Sequence, residues 1–284
     1  MPLTRIYTGY SQHDSIKQIN QRAVSEKLPS LIYFWDHRTV YIGKLPDVEE
    51  HRLASAALII SLETSFRVRN QELGLDEKCM SAIIPPGFAH ETLYGGTPVA
   101  IISLEPESND YAIACQLMLR QVSECLFDLK NEARAINDMR TIYQYQPSAA
   151  QSSHIMNSIL YSDEPSLLEP KPIDKRIRKA METMREDPAQ SHSLESLADS
   201  VFLSATRFTH LFKDETGVPI RRYRQWLRFR QAIQQITAGK TMTAAAMQAG
   251  FTDSAHFSRA FRSMFGLKPS VVFRKSNPVK TFIS

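Results

Sequence analysis

Two stretches of this chain carry the same residue types at the same spacing. Residues 198–217 read ADSVFLSATRFTHLFKDETG, and residues 246–266 read AMQAGFTDSAHFSRAFRSMFG. A one-residue insertion at Asp253 brings them into register. Ala198 then matches Ala246, Phe208 matches Phe257, Phe212 matches Phe261, Lys213 matches Arg262 and Gly217 matches Gly266. At helical spacing Thr206, Thr209, His210 and Lys213 share one face of the first copy. Ser254, Ala255, Ser258, Arg259 and Arg262 share the corresponding face of the second. These side chains offer hydroxyls, an imidazole, methyl groups and cations, and no carboxylate. That set suits the base edges and phosphates of a nucleic-acid duplex. Arg259 can grip O6 and N7 of one guanine or clamp a phosphate, and the sequence leaves both readings open. The other candidates are too short for bidentate base contacts, which points to methyl contacts, water and duplex shape as part of any readout.

Such a face works only on a helix held in place by another. Leu194, Leu197, Ala198 and Val201 form the apolar side of a short first helix. Phe208, Leu211 and Phe212, spaced i, i+3, i+4, form the inward side of the second. Each copy therefore reads as helix, tight turn, helix, with the second helix exposed for a major groove. Between the copies, PIRRYRQWLRFRQAIQQITAG predicts a long helix with Tyr223, Leu227 and Ile236 facing the core and its arginines projecting. A rigid helix there would set the two units about one DNA turn (~34 Å) apart.

Charge follows the same division. Net charge is +4 over 284 residues. Residues 1–170 hold 14 Lys+Arg against 21 Asp+Glu, a net of −7, and residues 171–284 hold 20 against 9, a net of +11. A basic half behind an acidic one predicts that the C-terminal part meets the polyanion.

The acidic half has different punctuation. LIYFWDH, TVYIGKL, ALIISLE, SFRVRN, MSAIIPP and VAIISLE, within residues 31–107, are short β-rich runs divided by Pro, Gly, Asn and Asp. They predict a sandwich or small barrel over about 30–108. From Tyr111, the spacing of Ile113, Leu117, Val122, Leu126 and Leu129 predicts helix, so helices are expected over 110–161. SDEPSLLEPKP then marks a linker at 162–172. The expected organisation is α+β in two domains, 1–161 and 173–284.

Composition excludes several classes. With 43% hydrophobic and 23% charged residues the chain is neither disordered nor fibrous. Three cysteines make no disulfide framework and no zinc spacing, which favours a reducing compartment. The longest apolar run, Ala56 to Ile60, is far too short to cross a membrane, and the N-terminal residues do not read as a secretory signal. A cytoplasmic location without membrane contact is expected. No Ser/His/Asp arrangement and no GxxxxGK phosphate loop is visible, so no catalytic residue is assigned.

Residues 174–275 resemble the DNA-binding domain of AraC/XylS-type bacterial transcription regulators. The resemblance rests on Leu197-Ala198, Ser204, Phe208, LFKDETGVP at 211–219, Tyr223, Arg228 with Ala232, AGF at 249–251, Asp253, FSRAF at 257–261, Gly266, Pro269 and Phe273-Arg274. It implies seven helices with two helix-turn-helix units. Each unit would place a helix in the major groove of double-stranded promoter or operator DNA. The DNA contacts would come from the nine residues named at the outset: Thr206, Thr209, His210 and Lys213, then Ser254, Ala255, Ser258, Arg259 and Arg262.

IIPPGFAH at 83–90 fits P-x-G-x-x-H through Pro85, Gly87 and His90, which resembles a motif of cupin barrels. The earlier segment around His51 lacks the second histidine and the glutamate of metal-binding cupins, so no metal and no cofactor is expected. The combined resemblance implies a cupin-like barrel, a helical segment that pairs protomers into a homodimer, and a small effector in the barrel. His51, His90, Trp35, Tyr41 and Tyr94 are the candidate effector contacts. Activation is the more frequent outcome in such regulators and would engage RNA polymerase. Two other readings stay open: an effector-free DNA binder whose barrel serves only protein contacts, and a cupin enzyme, which the ligand set supports poorly.

Overall fold

The structure, a computed structural model, describes residues 28–35, 38–161, 173–190, 192–273 and 279–284. The expected linker at 162–172 lies outside the described residues. Two β-sheets face each other in the N-terminal half. One has eight strands in the order β10-β11-β7-β4-β9-β2-β1-β12 and the other has four in the order β3-β8-β5-β6. The strands are β1 (Ser30–Trp35), β2 (Arg38–Lys44), β3 (Val48–Arg52), β4 (Ala56–Ser61), β5 (Phe66–Asn70), β6 (Leu75–Cys79), β7 (Ser81–Ile84), β8 (Ala89–Leu93), β9 (Pro98–Leu104), β10 (Met118–Val122), β11 (Cys125–Leu129) and β12 (Val279–Ile283).

Alternation explains the burial. On β4, Ala57 and Ile59 face the space between the sheets, while Ala56, Leu58 and Ile60 face outward. The outer face is covered by α2 (Glu132–Tyr145) and α3 (Ala149–Tyr161), which supply Met139, Ile142, Met156 and Ile159 to the outer core. A strand covered on both faces reads as continuously apolar, as AALII does. β5 has one wet face: Phe66 and Val68 are buried, whereas Arg67 and Arg69 pair with Asp76 and Glu91.

Residues 118–129 differ from the helix expected of them. After α1 (Asn109–Gln116) the chain forms the hairpin β10–β11, turning at Ser123 with φ 55°. β11 pairs with β7; Cys125 and Phe127 face the space between the sheets, and after Asp128 (φ 67°) Leu129 lies with Leu126 on the outer face. The four- and five-residue spacing of Leu117, Val122 and Leu126 imitated a helix while the strand period decided the outcome. The stripe Leu117, Leu126 and Leu129 packs against the chain's own large sheet.

The C-terminal half is helical: α4 (Lys175–Glu186), α5 (Leu194–Ser200), α6 (Ala205–Thr216), α7 (Ile220–Thr237), α8 (Met242–Gln248), α9 (Ser254–Phe265) and α10 (Pro269–Val272). β12 then returns to the first half and pairs parallel with β1, with Phe282 stacked 4.4 Å from Tyr33. One continuous core joins the space between the sheets to the helical half, through Phe208, Phe212, Tyr223, Phe229, Phe257 and Phe261.

Candidate nucleic-acid interface

The two helix-turn-helix units are built by the same local devices. Ser193 Oγ accepts from Ser196 N at the start of α5, and Thr241 Oγ1 accepts from Ala244 N at the start of α8. Ser204 caps α6 through Arg207 N, and Asp253 caps α9 through His256 N. A capped helix end satisfies otherwise orphaned backbone donors and fixes where the exposed helix begins. Because Ser204 and Asp253 do the same job, the extra residue of the second unit is Thr252, one before the expected position. In the turns, Leu203 N donates to Ala198 O and Phe251 N donates to Ala246 O, both at 3.0 Å. Phe202 (φ 56°) holds the position that Gly250 (φ 82°) holds in the second unit, and Phe202 is 93% exposed. An exposed, left-handed phenylalanine at this turn was invisible to periodicity.

Phe208 and Phe212 on α6, and Phe257, Phe261 and Met264 on α9, are buried. The opposite faces are open. Thr206, His210, Lys213, Ala255, Arg259 and Arg262 are exposed, and Thr209, Ser254 and Ser258 are partly exposed. Each unit thus brings its candidate residues together on one accessible helix face. Thr209 Oγ1 already donates to Ala205 O at 2.9 Å, leaving its methyl and acceptor lone pairs for a partner. Arg207, exposed beside Thr206, is a further cation of the first unit that the repeat had not singled out.

Arg221 of α7 projects as expected, but the other four arginines of this helix do not. Arg224 donates to His192 O, and Arg228 donates to Pro188 O and Gly250 O. Arg222 reaches Ser263 O and the carbonyl of Arg52 in the β-domain. Arg230 reaches Glu105 at 2.6 Å and Trp35 O at 2.7 Å. Their guanidiniums satisfy carbonyls at element ends, so most of the charge on this helix is committed within the protein.

The same contacts seat the β-domain on the helical domain. Glu105 and Glu107 are buried; Arg185 pairs with both, and Tyr223 donates to Glu107 at 3.2 Å. Arg262 pairs with Glu49 at 2.6 Å across an exposed edge. The glycines that end α6 and α9 both abut the β-domain, Gly217 at Pro86 and Gly87, and Gly266 at Val48, Glu49 and His51.

A cavity of about 130 Å³ lies between the two halves. Tyr41, His51, His90 and Tyr94 line it from the β-domain, and Trp226, Phe261 and Phe265 line it from α7 and α9. Trp35, the fifth candidate effector contact, stands elsewhere: its Nε1 donates to Ala149 O and its ring stacks on Tyr33. The rings of His51 and His90 are 4.2 Å apart. Burial pushes the His51 imidazole down to about 4, and burial together with the neighbouring His51 pushes His90 down to about 3. Glu49 is engaged with Arg262, and among the described residues no three metal-ligating side chains converge.

Comparison with known proteins agrees with this architecture. Residues 197–275 match the family model described as a helix-turn-helix domain. The arabinose operon regulatory protein of Salmonella typhimurium (strain LT2) is 33% identical over 101 residues, which is 35% of this chain and 36% of that protein. The HTH-type transcriptional activator RhaS of Escherichia fergusonii is 32% identical over 114 residues, 40% of this chain and 38% of that protein. The chain thus spans little more than a third of the length of these relatives. Across both halves the fold is that of ToxT from Vibrio cholerae. An apo structure of a point variant gives 13% identity and a TM-score of 0.58 over 83% of this chain and 96% of that one. A structure with an unsaturated fatty acid bound gives 12% and 0.54 over 84% and 96%. Fold and site together define a two-domain protein with twin helix-turn-helix units behind a cupin-like β-domain.

Proposed function

We propose that this chain is a sequence-specific regulator of transcription that binds double-stranded operator DNA through α6 and α9 and performs no catalysis. The observation that carries the reading is the pair of equivalent units, capped alike by Ser204 and Asp253 and exposing polar and cationic faces from one rigid chain. Relatives named as operon regulators and activators support it. Activation, through contact with RNA polymerase, is the sign the resemblance favours. Among the described residues no helix is long and apolar enough to cross a membrane, in keeping with a protein acting on DNA in the cytoplasm. The test is selection of bound sequences from a random duplex pool by the full chain. Recovery of two conserved blocks about one turn apart is expected, and an unenriched pool would reject sequence-specific binding.

The effector part of the reading rests on the cavity, since any occupant would touch both the β-domain and α9. The competing reading is an effector-free binder, favoured by the buried Glu105–Arg230 contact that already fixes the domains together. For homodimerisation, Leu129 is buried within this chain, Leu117 and Leu126 keep part of their surface open, and Leu119 on β10 is 68% exposed. Sedimentation of the full chain at tens of micromolar distinguishes dimer from monomer.

A further inference from the structure

The two helix-turn-helix units meet across one guanidinium. Arg228, in the middle of α7, donates from Nε to Pro188 O and from Nη1 to Gly250 O, both at 3.2 Å. Pro188 lies in the loop that leads to the Ser193 cap of α5, the entry to the first unit. Gly250 lies in the turn of the second unit, between α8 and α9. Arg224, one helical turn earlier on the same face of α7, donates to His192 O at 2.8 Å and Gln190 O at 3.4 Å. Both of these acceptors lie in the entry loop of the first unit.

The two turns differ accordingly. A Cβ on Gly250 would lie 3.1 Å from Ala189 O and 3.2 Å from Arg228 Nε, so the entry loop of the first unit already fills the space beside the second turn. Phe202, the twin of Gly250, is 93% exposed. The second turn is a contact between units, while the first stands in the open.

Apolar packing also ties α7 to each unit, through Tyr223 on Phe212 and through Phe229 on Phe251 and Phe257. Such packing is non-directional. A planar, charged fork on two carbonyls fixes direction and distance together. That matters on a duplex, which advances about 3.4 Å and turns about 35° per base pair. Two reading helices held at a fixed separation distinguish operators whose blocks differ in spacing by a single base pair.

We propose that Arg228 is a positioning residue that sets the separation of α6 and α9, and so selects the number of base pairs between the two blocks of the operator. It acts through Pro188 and Gly250 and not by contact with DNA. This role rests on the DNA-binding reading above and adds spacing to what α6 and α9 read.

The test uses the full chain and duplexes carrying the two selected blocks at the selected spacing and at one base pair fewer or more. The parent should bind the selected spacing at least about tenfold more tightly than either neighbour. Arg228→Met removes both donors, and Arg228→Lys keeps the charge without the planar fork. Each should bring the three spacings to within about threefold of one another, while affinity for a single block stays within about threefold of the parent's. Arg224→Met also removes a guanidinium from α7, and should keep the parent's spacing preference. Melting identifies any variant that does not fold, and the other Arg228 variant then decides. Equal binding of all three spacings by the parent, a parent-like preference in a folded Arg228 variant, or an equal loss of preference in Arg224→Met would each overturn the proposal. A parent that prefers no sequence would sink the regulatory reading and this role with it. A parent with a firm spacing that the Arg228 variants retain would sink the role alone.

Discussion

Gly266 and Glu49 meet backbone to backbone: a Cβ on Gly266 would lie 2.6 Å from the Glu49 carbonyl oxygen, and closer still to Val48. Gly266 also has φ 71°, the left-handed conformation that ends α9. Its twin Gly217 has φ 76°, but a Cβ there would meet nothing nearer than 3.5 Å. The two C-caps share a backbone requirement and differ in what surrounds them, which makes them an internal control.

Gly217→Ala should cost about 1 kcal/mol, the ordinary penalty for a side chain in the left-handed region. Gly266→Ala should cost that and a further ~1–3 kcal/mol, because β3 and α9 must separate to admit a methyl group. Denaturant unfolding of both variants measures the difference. Equal destabilisation would mean that α9 is not seated on β3 in solution.

Arg262 is claimed by two anions. It stands on the exposed face of α9 proposed to meet DNA, and it pairs with Glu49 with both side chains about half exposed or more. An exposed pair contributes little stability, ~0–1 kcal/mol. Glu49→Ala should therefore melt like the parent and bind all DNA more tightly, since a competing carboxylate is gone. Arg262→Ala should weaken binding to every sequence and lower the log–log salt slope by about one. Unchanged DNA affinity in both variants would remove Arg262 from the interface.

What periodicity could read was the phase of α6 and α9, since Phe208 and Phe212 recur as Phe257 and Phe261 and a helix has only one way to bury them. It could not read contacts between distant parts. Arg222, Arg224, Arg228 and Arg230 look like a solvated face along α7, yet they end on carbonyls of residues 52, 188, 192 and 35. Arginine donors suit water and backbone equally well, and only the fold decides between them. Leu126 and Leu129 likewise fit a helix until β7 supplies a partner strand. His90 was legible as a motif residue through Pro85 and Gly87. Its place at an interdomain cavity depends on Trp226, 136 positions away in the chain.

Glu105 is the anchor of the domain contact. It is 1% exposed and accepts from Arg230 and Arg185. Removing one member of a buried pair leaves the other charge without compensation, which costs about 3–5 kcal/mol. Glu105→Gln should therefore lower the melting temperature of the full chain by many degrees. Melting within a degree of the parent would show that water reaches Arg185 and Arg230, and that the domains are not fixed through them.

Acid should act through the paired histidines. Burial lowers His51 to about 4 and His90 to about 3 in the folded protein, and Arg222 near His51 acts in the same direction. An unfolded histidine titrates near 6.5. Both folded values lie below that, so the unfolded chain takes up protons first. The stabilisation is complete above about pH 6.5 and is lost as pH falls towards 4. Each histidine contributes a slope of up to ~1.4 kcal/mol per pH unit in that window. Urea unfolding at pH 7.5, 6 and 5 should show the decline, and His90→Phe should make it shallower by about one proton. A parent and a variant with parallel profiles would place the imidazoles in water.

In the proposed reading, Arg259 is the residue through which the second unit reads sequence. It lies on the exposed side of α9, two residues after the buried Phe257 and two before the buried Phe261. At about 100° per residue it points away from both rings, outward from the core. The His256 backbone N–H lowers the Asp253 carboxyl most, and the nearby Arg259 charge acts in the same direction. A guanidinium gripping O6 and N7 of a guanine supplies ~1–3 kcal/mol of discrimination at one base pair. One on a phosphate supplies affinity without preference. Base readout predicts that Arg259→Ala melts like the parent, binds the selected operator about ten- to a hundredfold more weakly, and becomes indifferent at one position. The measurement is the affinity of parent and variant for operators altered singly at every position. A uniform loss across all of them, matched on random DNA and accompanied by a salt slope lower by about one, would leave Arg259 the phosphate role alone.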